Sequence, residues 1–101
     1  MKFTGNEDHS ITLQEAAKQT ESYRNSVPEG SILGGYFGKS TLQDILNQEG
    51  CVGIRCYYGL GNDDTPHFVL VGTDADGRAL VDGILASPCP PIYDDKSPLV
   101  R

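Results

Sequence analysis

From Cys51 to Leu85 the sequence runs through three stretches of β-forming residues separated by two short polar turns, and nothing else in the chain restricts its fold as much. Val52, Ile54, Cys56 and Tyr58 alternate with Gly53, Arg55 and Tyr57, which is the signature of a strand over Cys51–Leu60. Gly61-Asn62-Asp63-Asp64-Thr65-Pro66 is a polar turn, and His67–Thr73 is a second strand, apolar on both faces at Phe68, Val69, Leu70 and Val71. Asp74-Ala75-Asp76-Gly77 reads as a hairpin turn with glycine where a positive φ is wanted. Arg78–Leu85 reads as a third strand. Connections this short favour an antiparallel meander.

Two helices precede the strands. Thr12 caps the first, with Glu15 at the reciprocal capping-box position; Leu13, Ala16, Ala17, Thr20 and Tyr23 then form a narrow stripe ending near Arg24. Ile32, Leu33, Tyr36 and Phe37, interrupted by three glycines, fit a short strand or an ordered loop. Ser40 caps a second helix of about Thr41–Gln48, buried through Leu42, Ile45 and Leu46, with Gly50 in the left-handed position beyond its end. The fold class is therefore α+β: two helices packed on a three- to four-stranded antiparallel sheet. Residues 1–11 form a flexible N-terminal arm, 12–85 a single domain, and 86–101 an extended Pro-rich tail that proline keeps out of a sheet interior.

Hydrophobic residues make up 38% of the chain and 12 residues are glycine, so the core must be thin. If Leu60 pairs with His67 and Thr73 with Arg78, one sheet face carries Ile54, Cys56, Tyr58, Val69, Val71 and Leu80. The other carries Arg55, Tyr57, Phe68, Leu70, Ala79 and Val81. Two helices cover one face well, and an apolar face left open marks an interaction surface. The expected partner-binding residues are thus Arg55, Tyr57, Phe68, Leu70 and Val81, and the expected partner is a second copy or another protein. Arg55 has two readings of equal standing: a contact on that face, or an edge-strand charge that discourages aggregation.

The net charge of −6 disfavours a nucleic-acid partner, which requires clustered Lys and Arg. It would suit a basic protein partner, as in an inhibitor or immunity-type protein, and serves solubility equally. No apolar run approaches the roughly 20 residues of a membrane helix. Met1–Ser10 carries no apolar leader, so a cytoplasmic setting is expected. The cysteines Cys51, Cys56 and Cys89 are odd in number and lack paired metal-ligand spacing. Cys51 and Cys56, five apart on a strand, should face opposite sides. No cofactor or metal is called for. Asp74-Ala75-Asp76-Gly77 fails as a calcium loop because Leu85 stands at its twelfth position.

Two further chemistries remain to be weighed. Gly38-Lys39-Ser40 before a helix has the end of a phosphate-binding loop, but Leu33 occupies the place of its first glycine. What survives is an anion-binding alternative: Gly38, Lys39 and Ser40 at the helix N-terminus, together with Arg55, in a ligand-binding protein or an enzyme. Cysteine–histidine catalysis would have to use His67, the histidine of the expected core, with Cys56, Cys51 or, from the tail, Cys89. Mid-strand thiols of this kind are ordinarily inert.

The segments Gly34–Lys39, Gln48–Gly59 and His67–Asp74 resemble small bacterial proteins that share a GGYFGK…QEGCVGIRCYYG core. The resemblance spans about half the chain. It implies a bacterial cytosolic origin and carries over no activity and no site residue.

Overall fold

The computed structural model describes residues 2–87, 90–93 and 97–99. The elements run α1 Leu13–Ser26, β1 Gly34–Gly35, α2 Lys39–Leu46, β2 Cys51–Leu60, β3 Pro66–Asp74, β4 Leu85–Ala86 and β5 Pro91–Ile92. The fold is α+β with antiparallel sheets: a three-stranded sheet in the order β2-β3-β4 and a two-stranded one formed by β1 and β5. Contacts divide the chain differently from the expected boundaries. One unit is Met1–Glu7 with Phe37–Pro90, and the other is Asp8–Tyr36 with Pro91–Arg101.

The first unit holds the three-stranded sheet, and α2 lies on it. Ile45, fully buried, meets Leu70 and Ala86, with Phe37, Leu42 and Ile54 packed around them. Burying one such aliphatic side chain contributes about 1.5–3 kcal/mol, so a core this small stabilises the unit only modestly. α2 starts at Lys39, earlier than the sequence suggests. Gly38, in an extended conformation, is its N-cap, and no side chain caps it; Ser40 sits exposed inside the first turn. The helix ends at Asn47, whose N–H reaches the Gln43 carbonyl at 2.8 Å; Gly50, three residues on and not directly past the helix end as expected, adopts φ +78° in the turn that the Cys51 N–H closes on the Gln48 carbonyl at 3.1 Å.

Both hairpins close on three-residue loops. The Gly61 N–H donates to the Thr65 carbonyl at 2.8 Å, with Asp64 at φ 61°; the Asp74 N–H donates to the Arg78 carbonyl at 3.0 Å, with Gly77 at φ 85°. A left-handed residue at the end of each loop shifts both registers by one residue from the expected pairing. Leu60 pairs with Pro66, not His67, and Thr73 bridges Ala79, not Arg78. Because side chains alternate, a one-residue slip exchanges faces. Phe68 and Leu70 therefore share the α2 side with Tyr58, Cys56 and Ile54, while Tyr57 and Arg55 stand on the far side with Val69 and Val71. The single open face expected from Arg55, Tyr57, Phe68, Leu70 and Val81 does not exist.

The expected third strand is mostly a loop. The chain pairs as far as Leu80, whose N–H bonds the Gly72 carbonyl at 2.8 Å, then turns through Val81 and Asp82. It rejoins β3 only at Leu85 and Ala86, opposite Val71 and Leu70. Gln48 holds this detour: its carbonyl accepts from the Ile84 N–H at 2.8 Å and its amide donates to the Ile45 carbonyl at 2.9 Å. A Cβ at Gly83 would displace Gln48 Oε1 from this position.

Of the expected arm, residues 2–7 are tied to the same unit. The Phe3 N–H bonds the Ala75 carbonyl at 2.8 Å, and Lys2 pairs with Asp76. Gly5, at φ +85°, lies so close to Val52 that a Cβ would sit 2.8 Å from its carbonyl oxygen. Glu7 closes a small turn by accepting from the Thr4 and Gly5 N–H groups.

In the second unit, Thr12 caps α1 by accepting from the Glu15 N–H at 3.0 Å. The Pro-rich segment supplies β5: Ile92 pairs with Gly34 and Pro91 with Gly35, and the Ile92 carbonyl accepts from the Leu33 N–H at 2.7 Å. Proline is tolerated here because each strand of a two-stranded sheet has a free edge. Arg24 donates to the Leu99 carbonyl at 2.7 Å. Cys89 and Pro88 lie outside the described residues.

Candidate interaction surface

The β2–β3 ribbon has two halves. The inner half is flanked by β4 and covered by α2, and there Leu70 is only 5% exposed. The outer half, Tyr57–Leu60 against Pro66–Val69, has no third strand among the described residues. Tyr58 is 91% exposed, Leu60 70% and Tyr57 47%. Tyr58 leans on its cross-strand neighbour Phe68, with ring centroids 5.4 Å apart. Such a pair contributes about 0.5–1.5 kcal/mol, which stiffens the ribbon without hiding the tyrosine.

Among the described residues β2 is also an edge strand, and its edge has a definite chemistry. Leu60 pairs with Pro66, which has no N–H, whereas Gly61 and Thr65 beyond them are a hydrogen-bonded pair. Antiparallel pairs alternate between bonded and non-bonded. Arg55, Tyr57 and Gly59 accordingly turn their backbone groups toward β3. Ile54, Tyr58 and Leu60 turn theirs outward. At its Val52 end the edge meets Gly5, and at the other it meets the Gly61–Thr65 turn. Between these limits, the one charged residue of Ile54–Leu60 is Arg55, whose guanidinium is bonded to Gly77 and Tyr57.

Of the five residues expected to bind a partner, Tyr57 and Phe68 lie in this outer half, on opposite faces. Leu70 belongs to the core, and Val81 is exposed on the loop before β4. Arg55 is occupied at both terminal nitrogens: it donates to the Gly77 carbonyl at 2.7 Å and to the Tyr57 hydroxyl at 3.0 Å. Its carbon Cζ lies 5.9 Å from the centre of the Tyr57 ring. Arg55 thus ties the ribbon to the Asp74–Arg78 hairpin. The anion-binding candidates Gly38, Lys39 and Ser40 lie at the start of α2, with Lys39 and Ser40 exposed.

The cysteine–histidine pair is not assembled either. Cys56 lies on the α2 side of the sheet and His67 on the far side, opposite Gly59. A β-bulge between Cys51 and Gly53 turns Cys51 onto the α2 side as well, correcting the expectation that the two cysteines face apart. The Cys51 thiol donates to the Gly53 carbonyl at 3.2 Å. Among the described residues no three His, Cys, Asp or Glu side chains gather to hold a metal. No helix among them is long and apolar enough to cross a membrane.

A depression of about 280 Å³ at the ribbon's tip is lined by Leu60, Asp63, His67 and Ser87 among others. The Thr65 hydroxyl and N–H beside Asp63 hold its carboxyl below the ordinary value. The second unit has a wider depression of about 400 Å³ between Arg24, Val27, Leu33 and Tyr93, beside the Arg24–Leu99 bond. Neither gathers a set of like charges. The outer β2 edge was legible in the sequence only as tyrosines on a β-run; what marks it as a surface is the shortness of β4, which no local pattern announces. No protein-family model, curated protein or solved structure matches the chain.

Proposed function

We propose that this chain is a protein-interaction module, without catalytic activity of its own, that docks a protein through the outer half of its β2–β3 ribbon. One observation carries the reading: Tyr57, Tyr58 and Leu60 are exposed together on a strand whose only strand neighbour among the described residues is β3. Tyrosine is favoured at contact surfaces because it brings large area at low entropic cost and keeps a polar tip. The backbone of an edge strand adds hydrogen bonds to any extended segment laid beside it. The resemblance to small bacterial proteins supports a cytoplasmic, bacterial setting.

The chain contains no tryptophan, so Tyr58→Trp installs a single reporter on the surface. The expected result is a blue-shifted emission, shielded from a soluble quencher, either as the protein is concentrated or in a soluble extract of its native cell. An indole that stays fully quenchable in both would overturn the proposal.

A further inference from the structure

The second unit holds no buried side chain among its described residues, whereas the first buries Ile45, Leu70, Val71 and Ala86. Two contacts mark where the C-terminal segment meets residues 8–36. At one, β5 lies beside β1 and the Leu33 N–H donates to the Ile92 carbonyl at 2.7 Å. At the other, Arg24 donates to the Leu99 carbonyl at 2.7 Å. We infer that this seat is a docking slot for an extended peptide, filled by the chain's own detachable tail. Its external ligand is a peptide of the tail's chemistry: proline, then a branched apolar residue, then an aromatic one, as in Pro91-Ile92-Tyr93.

The occupant shows what the slot accepts. Both bonds end on main-chain carbonyls of the tail, so they fix its direction and leave most of its sequence open. β1 is Gly34–Gly35 and sets no side chain against the incoming strand. Selectivity falls to Ile92, half-buried, whose Cδ1 a Cβ at Gly34 would meet at 4.0 Å. Pro90 and Pro91 favour an extended chain before it docks, which lowers the entropy lost on binding. Tyr93 and Leu99 stay exposed, and the depression of about 400 Å³ between Arg24, Val27, Leu33 and Tyr93 is left unfilled. A peptide whose aromatic side chain enters that depression gains contacts the tail forgoes.

Hydrogen bonds of this kind each shift a docking equilibrium about tenfold or less. The tail holds the slot because its tether presents it at an effective concentration of about 1 mM. A free peptide of equal strength displaces it only near that concentration. One that also fills the depression displaces it at lower concentration and releases the tail as it binds. The slot lies wholly in the second unit, and the β2–β3 ribbon in the first.

The test is NMR of the isotope-labelled full chain with an unlabelled synthetic peptide of residues 90–101. Ile92→Asp should release the tail, moving the Leu33, Gly34 and Gly35 amide resonances while those of β3 stay in place. The peptide, at about 1 mM, should return the three resonances to their wild-type positions. The same peptide carrying Ile92→Asp should not. Arg24→Ala added to the released chain should weaken that return by up to about tenfold. The unaltered chain gives a second measurement, free of any folding defect in the variants. There a spin label on the peptide should broaden the Leu33 amide as the peptide passes about 1 mM. Slot amides that Ile92→Asp leaves unmoved would show the tail to be a fixed part of the fold and overturn the slot. Restoration by the aspartate peptide would overturn the ligand chemistry. A peptide that neither restores the variant nor broadens Leu33 in the wild type would overturn both.

Discussion

Within one ribbon of two strands, the inner and outer halves are made of similar residues and meet different fates. Leu70 and Ile54 in the inner half face Ile45 of α2 and Ala86 of β4. Tyr58 and Leu60 in the outer half, on the same face of the same strands, meet mostly solvent. Residue type does not separate them; the supporting layer stops. β4 reaches β3 only opposite Leu70 and Val71, because the chain runs Val81–Ile84 through a loop before rejoining the sheet. One short strand thus divides the ribbon into a part that holds the unit together and a part left over for contact.

The largest expected contrast follows directly. Leu70→Ala should cost about 2–5 kcal/mol, since it opens a cavity against Ile45 and Ala86. Tyr58→Ala should cost no more than about 1.5 kcal/mol, the upper value of its cross-strand contact with Phe68. Urea titration of the two variants measures the difference; equal losses would mean that the outer half is as structural as the inner.

The boundary between the halves depends on Gln48. Gln48→Ala removes the acceptor of the Ile84 N–H and frees the loop that delivers β4, at a cost of about 1–2 kcal/mol. Amide exchange at Ala86, opposite Leu70, should quicken more than at Val69. If the Ala86 amide is unaffected, something other than Gln48 sets where the support ends.

At the ribbon's tip the effects are smaller. Asp64 holds a left-handed φ of 61° that glycine adopts without cost, so Asp64→Gly should stabilise the hairpin by up to about 1 kcal/mol. Cross-strand contacts between Tyr58 and Phe68 in NMR spectra should persist; a lost register would show that the aspartate side chain, not the loop length, sets the pairing.

The smallest effect concerns the other end of the β2 edge. Thr4 and Gly5 N–H groups, Thr4 foremost, hold the Glu7 carboxyl below its ordinary value of 4.5. A lowered value in the folded state favours the turn above pH 4.5 and withdraws that support as pH falls below it. Acidification should therefore release the Thr4–Glu7 turn before the sheet, visible as a shift of the Gly5 amide resonance with the β3 resonances unchanged. Loss of both together would mean that the N-terminal segment and the sheet are one cooperative piece.

These halves were only partly legible in the sequence. β2 was readable to its ends, because Cys51–Leu60 alternates cleanly and is bounded by Gly50 and Gly61. The Thr12 cap was equally plain. The register was not. It turns on single left-handed residues, Asp64 and Gly77, and the first of these is an aspartate whose conformation its identity does not announce. Arg78–Leu85 has the composition of a strand, yet Gln48, thirty-six residues from Ile84, converts its second half into a loop. Contacts that distant leave no local pattern. Prolines misled in the opposite direction: Pro91 enters a strand because a two-stranded sheet asks for no N–H on its open side.

The most direct test of the contact edge is amide hydrogen exchange along β2 in dilute solution, in concentrated solution and in a soluble extract of the native cell. Arg55 and Tyr57, bonded to β3, should be protected equally in all three. Ile54, Tyr58 and Leu60, whose amides face outward, should exchange quickly in dilute solution and become protected in one of the other two. Outward amides that exchange at the same fast rate in all three would contradict the account.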